Sequence, residues 1–178
     1  MIRKFSALLI CAALTTAAPA YAAGSGAMGG GGMDMPSGMG SSAPSAADLE
    51  AAYNAGVAAV EQQDWKTAVK KFSLVTDNLP TMADAWNYLG YSQRKGGNPK
   101  KSEAAYKKAL KIDPNHPRAN EYYGELLADL NRIPEAEQRL AVLTACCATD
   151  PGTKQLTDYI AAAKAAAASG ATKPSAGY

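Results

Sequence analysis

Apolar residues recur at three- and four-residue spacing from about residue 49 to residue 168, broken at short intervals by polar turns. This is the period of amphipathic helices packed against one another. The pattern also repeats on a longer scale. Gly56, Gly90 and Gly124 lie 34 residues apart, as do Ala68, Ser102 and Ala136, and Phe72, Tyr106 and Leu140. A fixed period of this length marks a stack of similar units that share one interior. The units span 49–82, 83–116 and 117–150, and each reads as two helices joined by a short turn.

The residue types fit that reading. A glycine inside a helix costs up to about 1 kcal/mol against alanine. Its recurrence is expected to permit close approach of the paired helix, with Ala68, Ser102 and Ala136 facing it and Phe72, Tyr106 and Leu140 filling the space beyond. Asp64 and Asn98 stand where a second helix needs an N-cap, and Pro99 suits a first helical position. Pro80 and Pro114 stop their helices, because proline lacks the N–H and clashes with the turn before it. In the third unit Ala148 occupies the proline slot and Pro151 arrives late, so its second helix is expected to run about one turn longer. Leu156, Ile160, Ala163 and Ala167 then place a capping helix over 153–168. The fold class is all-α, a short solenoid of three helix pairs plus a C-terminal cap.

The middle unit carries Trp86, Leu89, Gly90, Tyr106, Ala109 and Pro114, with Ser102 in a small-residue slot and Gln93 departing from type. It resembles the tetratricopeptide repeat. The resemblance extends in weaker form to the whole of 49–150, through Gly56, Ala68, Phe72, Val75 and Pro80 before it and Tyr123, Gly124, Leu127, Ala136, Leu140 and Leu143 after it. It implies a concave groove lined by the first helix of each unit, which in that family receives a peptide or another protein's helix. By register the groove-lining positions are Tyr53, Asn54 and Val57, then Asn87, Tyr88, Tyr91 and Arg94, then Arg118, Glu121, Tyr122 and Glu125. Some relatives clamp a terminal carboxylate with a Lys/Asn/Arg set. Tyr53, Val57, Tyr88 and Tyr122 occupy four of those slots, so that mode is not expected here.

The ends of the chain differ from its middle. Residues 1–22 combine Arg3 and Lys4, an apolar stretch too short to span a bilayer, and Ala20-Tyr21-Ala22, which reads as a secretory leader cut after Ala22. Residues 23–47 are rich in Gly, Met and Ser and read as a disordered linker. Residues 169–178 read as a flexible tail. The expected location is the periplasm, and membrane contact is not expected once the leader is gone. Of 18 basic residues, loss of Arg3 and Lys4 leaves sixteen, equal to the 16 acidic ones. A neutral chain is not a nucleic-acid binder with a broad basic surface.

Candidate chemistry is sparse. Met28, Met33, Met35 and Met39 offer soft thioethers suited to copper or silver, but no histidine or cysteine joins them and nothing fixes their geometry. A tether is the simpler reading, with metal capture through this arm as the rival. Cys146 and Cys147 are adjacent and lack C-x-x-C spacing. They read as packed structural thiols, with a vicinal or intermolecular disulfide and a redox role as the other readings. His116, the one histidine, reads as a turn residue. No phosphate loop or nucleophile elbow occurs, so neither an enzyme nor a cofactor is expected. Lys100, Lys101, Lys107, Lys108 and Lys111 read as the solvated outer face of a helix, with acidic lipid or an acidic partner as the functional alternative. These features point to an exported, non-catalytic scaffold that binds a protein or peptide, with cell-envelope assembly as its context. Metal handling through the methionine arm is the second reading and self-association the third.

Overall fold

Ser45 sets the start of the first helix. Its side chain accepts from the backbone N–H of Asp48, and the Asp48 carboxylate accepts from the Ser45 N–H at 2.9 Å, a reciprocal cap that satisfies two otherwise orphaned donors. The computed structural model describes residues 43–170. The leader, most of the expected linker, Met28, Met33, Met35 and Met39, and the tail from 171 lie outside the described residues. The linker expected to reach 47 gives way to helix at 46, because the cap fixes the first turn.

Seven helices follow: α1 (Ala46–Glu61), α2 (Trp65–Asn78), α3 (Ala83–Lys95), α4 (Pro99–Ile112), α5 (Pro117–Asp129), α6 (Ile133–Cys147) and α7 (Pro151–Ala168). No strand occurs among the described residues. α1 packs on α2, α3 on α4 and α5 on α6. α2 leans on α3, α4 on α5, and α7 lies against both α5 and α6. Each pair turns through one left-handed residue at equivalent places, Gln63 (φ 58°), Gly97 (φ 78°) and Asn131 (φ 57°). Only glycine adopts that conformation without a steric cost.

The glycine slots behave as the spacing predicts in two pairs of three. A Cβ on Gly56 would sit 2.8 Å from the Phe72 ring, and one on Gly90 would sit 2.7 Å from the Tyr106 ring. Ser102 adds a buried hydrogen bond, its hydroxyl donating to the Gly90 carbonyl at 2.7 Å. The third pair differs. Gly124 is approached by Leu156 of α7, whose Cδ2 lies 2.6 Å from the Cβ position. Leu140, expected in that role, is only partly buried at the edge of the same cluster. The capping helix thus supplies the filler that the third pair lacks.

The last two helices also depart from expectation. α6 has 15 residues against 14 in α2 and α4, so it is one residue longer and not a full turn. α7 begins at Pro151 and not at 153, because Asp150 accepts from the Gly152 N–H at 2.7 Å and Pro151 needs no donor at a first helical position. Asp64 caps α2 through the Thr67 N–H at 3.0 Å. Asn98 makes no such cap, because its amide donates to the Gly96 carbonyl instead. His116 is more than a turn residue. Its Nδ1 accepts from the Ala119 N–H at 3.2 Å and its Nε2 lies 3.0 Å from Asp84 Oδ1. The ring therefore caps α5 in its Nε2–H tautomer and ties it to α3. Cys146 and Cys147 are paired as a vicinal disulfide at the end of α6. This corrects the reading as packed thiols, since Cys146 is exposed and Cys147 only half-buried.

The buried apolar side chains between Leu49 and Ala163 fall into three clusters along the stack, and the described residues form one compact unit. A polar cluster locks the second pair to the third. Glu103 of α4 is held by Arg132 at 3.0 Å, by Lys107 at 2.8 Å and by the Tyr123 hydroxyl at 2.9 Å. Burial opposes its charge, yet these three hydrogen-bond donors pull its carboxyl from 4.5 down to about 2. A folded pKa below the unfolded one means stability that is present above about pH 4.5 and lost as pH falls toward 2. Acid titration of thermal unfolding is expected to show a declining limb in that window, and Glu103→Gln to flatten it. An unchanged limb in the variant would remove Glu103 from the account.

Candidate functional site

α1, α3 and α5 touch one another across successive pairs, whereas α2, α4 and α6 do not. The stack therefore curves with its first helices on the inside. Tyr53, Tyr88, Tyr91 and Tyr122 line that inner face as half-buried residues. Tyr53 meets Tyr88 edge-on with centroids 5.8 Å apart, and Tyr91 meets Tyr122 at 4.9 Å. Tyr88 and Tyr91 are neighbours on α3 at i,i+3 spacing. The four rings form a row across three helix pairs. Three of them are also braced from behind or beside: Tyr53 meets Phe72 edge-on at 5.6 Å, Tyr88 stacks on Phe72 at 5.0 Å, Trp65 packs near-perpendicular to Tyr91 at 6.1 Å, and Lys95 Nζ lies 5.8 Å from the Tyr91 centroid.

None of these four hydroxyls bonds within the described residues. Burial, with smaller contributions from Asp84 for Tyr53 and Glu121 for Tyr122, pushes both phenols up to about 12. They stay protonated across the physiological range and offer a donor and an acceptor to whatever approaches. An aromatic row with polar tips suits the recognition of another chain.

Not every groove position expected from register faces outward. Asn54 is exposed and Val57 half-buried beside the tyrosines. Arg118 is 44 % exposed and donates to Glu121 at 2.7 Å. Asn87, Arg94 and Glu121 are buried at 3 %, 2 % and 0 % exposure. Arg94 cannot clamp a ligand carboxylate, because two internal carboxylates already hold it. Its Nη1 donates to Glu125, its Nε and Nη2 donate to Asp129 at 3.1 and 2.7 Å, and Nη2 also reaches the Tyr159 hydroxyl at 3.1 Å. Tyr159 in turn donates to Asp129 at 2.6 Å. Burial disfavours the guanidinium charge, but Glu125 and Asp129 more than offset this and raise its pKa. Tyr159 closes this end of the inner face from α7, and no register argument indicated it. Asn87 keeps an amide oxygen with no hydrogen-bond partner, as does Glu121 with Oε1.

The inner helices carry an acidic excess. Asp48, Glu50, Glu61, Asp84, Glu121, Glu125 and Asp129 stand against Arg94, Lys95 and Arg118. With Arg94 neutralised internally, the accessible face is aromatic and mildly negative.

No curated protein matches the chain by sequence. Solved structures share the fold. The TPR2B domain of yeast Sti1 in complex with pHsp70 matches with TM-score 0.61 at 19 % identity, covering 66 % of this chain and 96 % of that one. The Yersinia enterocolitica type III secretion chaperone SycD, in complex with a peptide of the translocator YopD, matches with TM-score 0.60 at 20 % identity, covering 68 % and 93 %. The first TPR of Spaghetti (RPAP3), bound to an HSP90 peptide, matches with TM-score 0.62 at 12 % identity, covering 69 % and 98 %. Residues 83–116 and, in an overlapping register, 105–138 match the tetratricopeptide repeat itself. Residues 83–138 thus carry the tetratricopeptide repeat, and the three helix pairs with the capping helix behind them share the fold of solved tetratricopeptide repeat domains.

Proposed function

We propose that the chain is an exported, non-catalytic scaffold whose inner face receives a segment of another protein, in the periplasm and in the service of cell-envelope assembly. The observation that carries the binding assignment is the row of Tyr53, Tyr88, Tyr91 and Tyr122, half-exposed and with free hydroxyls. The leader read from residues 1–22 supports the location. The structural neighbours whose printed titles name a bound peptide or partner, SycD with a YopD peptide among them, support the mode. The acidic balance of α1, α3 and α5 favours a ligand that brings apolar and basic side chains. It disfavours a ligand that ends in carboxylates, since Arg94 is spent on Glu125 and Asp129 and Arg118 donates to Glu121.

Photo-crosslinking tests this without dismantling the fold. A photoreactive phenylalanine analogue at Tyr91 is expected to give discrete protein adducts in periplasm. The same analogue at Ala104, exposed on α4, is expected to give none. Tyr122→Ala should weaken the adducts about tenfold, as loss of one aromatic anchor does at interfaces. Equal adducts at 91 and 104 would refute the groove.

A further inference from the structure

Two of the outer helices, α2 and α4, carry the opposite charge to the inner ones. α2 and α4 hold eight lysines, Lys66, Lys70 and Lys71 joining the five already named on α4, against only Asp77 and Glu103. Residues 43–170 balance as a whole, with fifteen basic and fifteen acidic side chains, so seven basic and thirteen acidic ones lie outside α2 and α4. The domain is therefore strongly polarised, positive on one pair of outer helices and negative over the rest. Lys107 is tied to Glu103 at 2.8 Å, and Lys108 lies 4.7 Å from the Trp86 ring centroid. The other six have no ion-pair partner among the described residues.

Two further features say what kind of surface this is. First, α2 and α4 contain no arginine. Lysine is a hydrated point charge without the planar fork that reads a single carboxylate or phosphate in fixed geometry, so the face suits spread negative charge. Second, three of the four exposed large aliphatic residues sit at the C-terminal ends of the same helices: Leu74 at 40 %, Leu79 at 42 % and Ile112 at 38 % exposure. Leu74 follows Lys70 and Lys71 at helical spacing, and Ile112 shares a cleft with Pro80, Lys107, Lys108 and Lys111. Lysines flanking partly exposed aliphatics are the composition of a protein face that rests on a bilayer of acidic lipid, the amines at the headgroups and the aliphatics just beneath. No helix among the described residues is long and apolar enough to cross a membrane, so the contact would be peripheral.

We propose that the α2–α4 face docks this domain on an anionic phospholipid bilayer, with the inner, tyrosine-lined face turned toward water. This departs from the expectation of no membrane contact drawn from leader removal alone. It uses a different surface from the groove and stands or falls separately.

The test is co-sedimentation of residues 41–178, the self-contained unit, with vesicles. Phosphatidylglycerol mixed into phosphatidylcholine is compared with phosphatidylcholine alone, at low and at physiological ionic strength. Binding is expected only to the anionic vesicles, and salt should weaken it. Lys101→Glu with Lys111→Glu should lower the partition coefficient about tenfold or more, since each lysine near such a surface contributes about a fivefold factor. Lys154→Glu with Lys164→Glu on α7 changes net charge equally and should leave binding within about twofold, provided circular dichroism shows both variants folded. Absence of binding to anionic vesicles overturns the proposal. So does equal loss in the two variant pairs, which would make net charge and not this face the cause. Binding of soluble polyglutamate without binding of vesicles would overturn it in favour of an acidic polypeptide. A Tyr91→Ser variant should bind vesicles unchanged, which separates failure here from failure of the groove.

Discussion

Replacing Arg94 by methionine is expected to destabilise the domain by about 3–5 kcal/mol, the range for removing one partner of a buried ion pair. The guanidinium is 2 % exposed, and its two carboxylate partners are 17 % and 8 % exposed. Without it Glu125 and Asp129 are left without their guanidinium in a poorly solvated place, while the Tyr159 hydroxyl still donates to Asp129. The two carboxylates then repel each other where water screens them poorly. Arg94→Lys keeps the charge but loses the fork, and should cost less. Thermal unfolding of both variants at neutral pH reads the two results. A deficit below about 1 kcal/mol for Arg94→Met would show that the cluster does not act as a buried network.

Gly90→Ala is the second large effect. The new methyl would stand 2.7 Å from the ring of Tyr106, a fully buried side chain. Overpacking of that kind costs about 1–3 kcal/mol, offset by up to about 1 kcal/mol of helix propensity. A net loss is expected, and Tyr106→Leu in the same chain should recover part of it by opening space. Gly124→Ala is the contrast. There the nearest atoms belong to Leu156, a buried aliphatic side chain with more torsional freedom than a ring, so the net loss should be smaller. Chemical denaturation of the three variants distinguishes a rigid slot from a soft one. Equal effects at 90 and 124 would show that ring rigidity plays no part.

The helix pairs and their order were legible because one short-range rule repeats. A glycine, then a small residue 12 positions on, then a bulky one 4 further, appears three times in register. That rule identified Gly56 with Phe72 and Gly90 with Tyr106. It misplaced the partner of Gly124, because Leu156 belongs to a helix outside the period. The inner face was legible only as a set of positions. Register gives the side of a helix but not its depth, so the half-buried tyrosines and the buried Asn87, Arg94 and Glu121 looked alike. Arg94 and Tyr159 lie 65 residues apart, and no local pattern couples them. The His116 cap was hidden for a different reason. Histidine is an uncommon N-cap, and its role depends on Asp84 lying across the interface. The left-handed turn residues Gln63, Gly97 and Asn131 share the period, but only the glycine signals its conformation by type.

The hydroxyl that reaches Arg94 from the last helix gives the domain a temporal order. A chain synthesised from its N-terminus can form its first two helix hairpins early. The shell around Arg94 still waits for residue 159 to arrive. A shortened or stalled copy would thus betray itself at its centre and not only at its frayed end, where a protease or a chaperone could sense the delay.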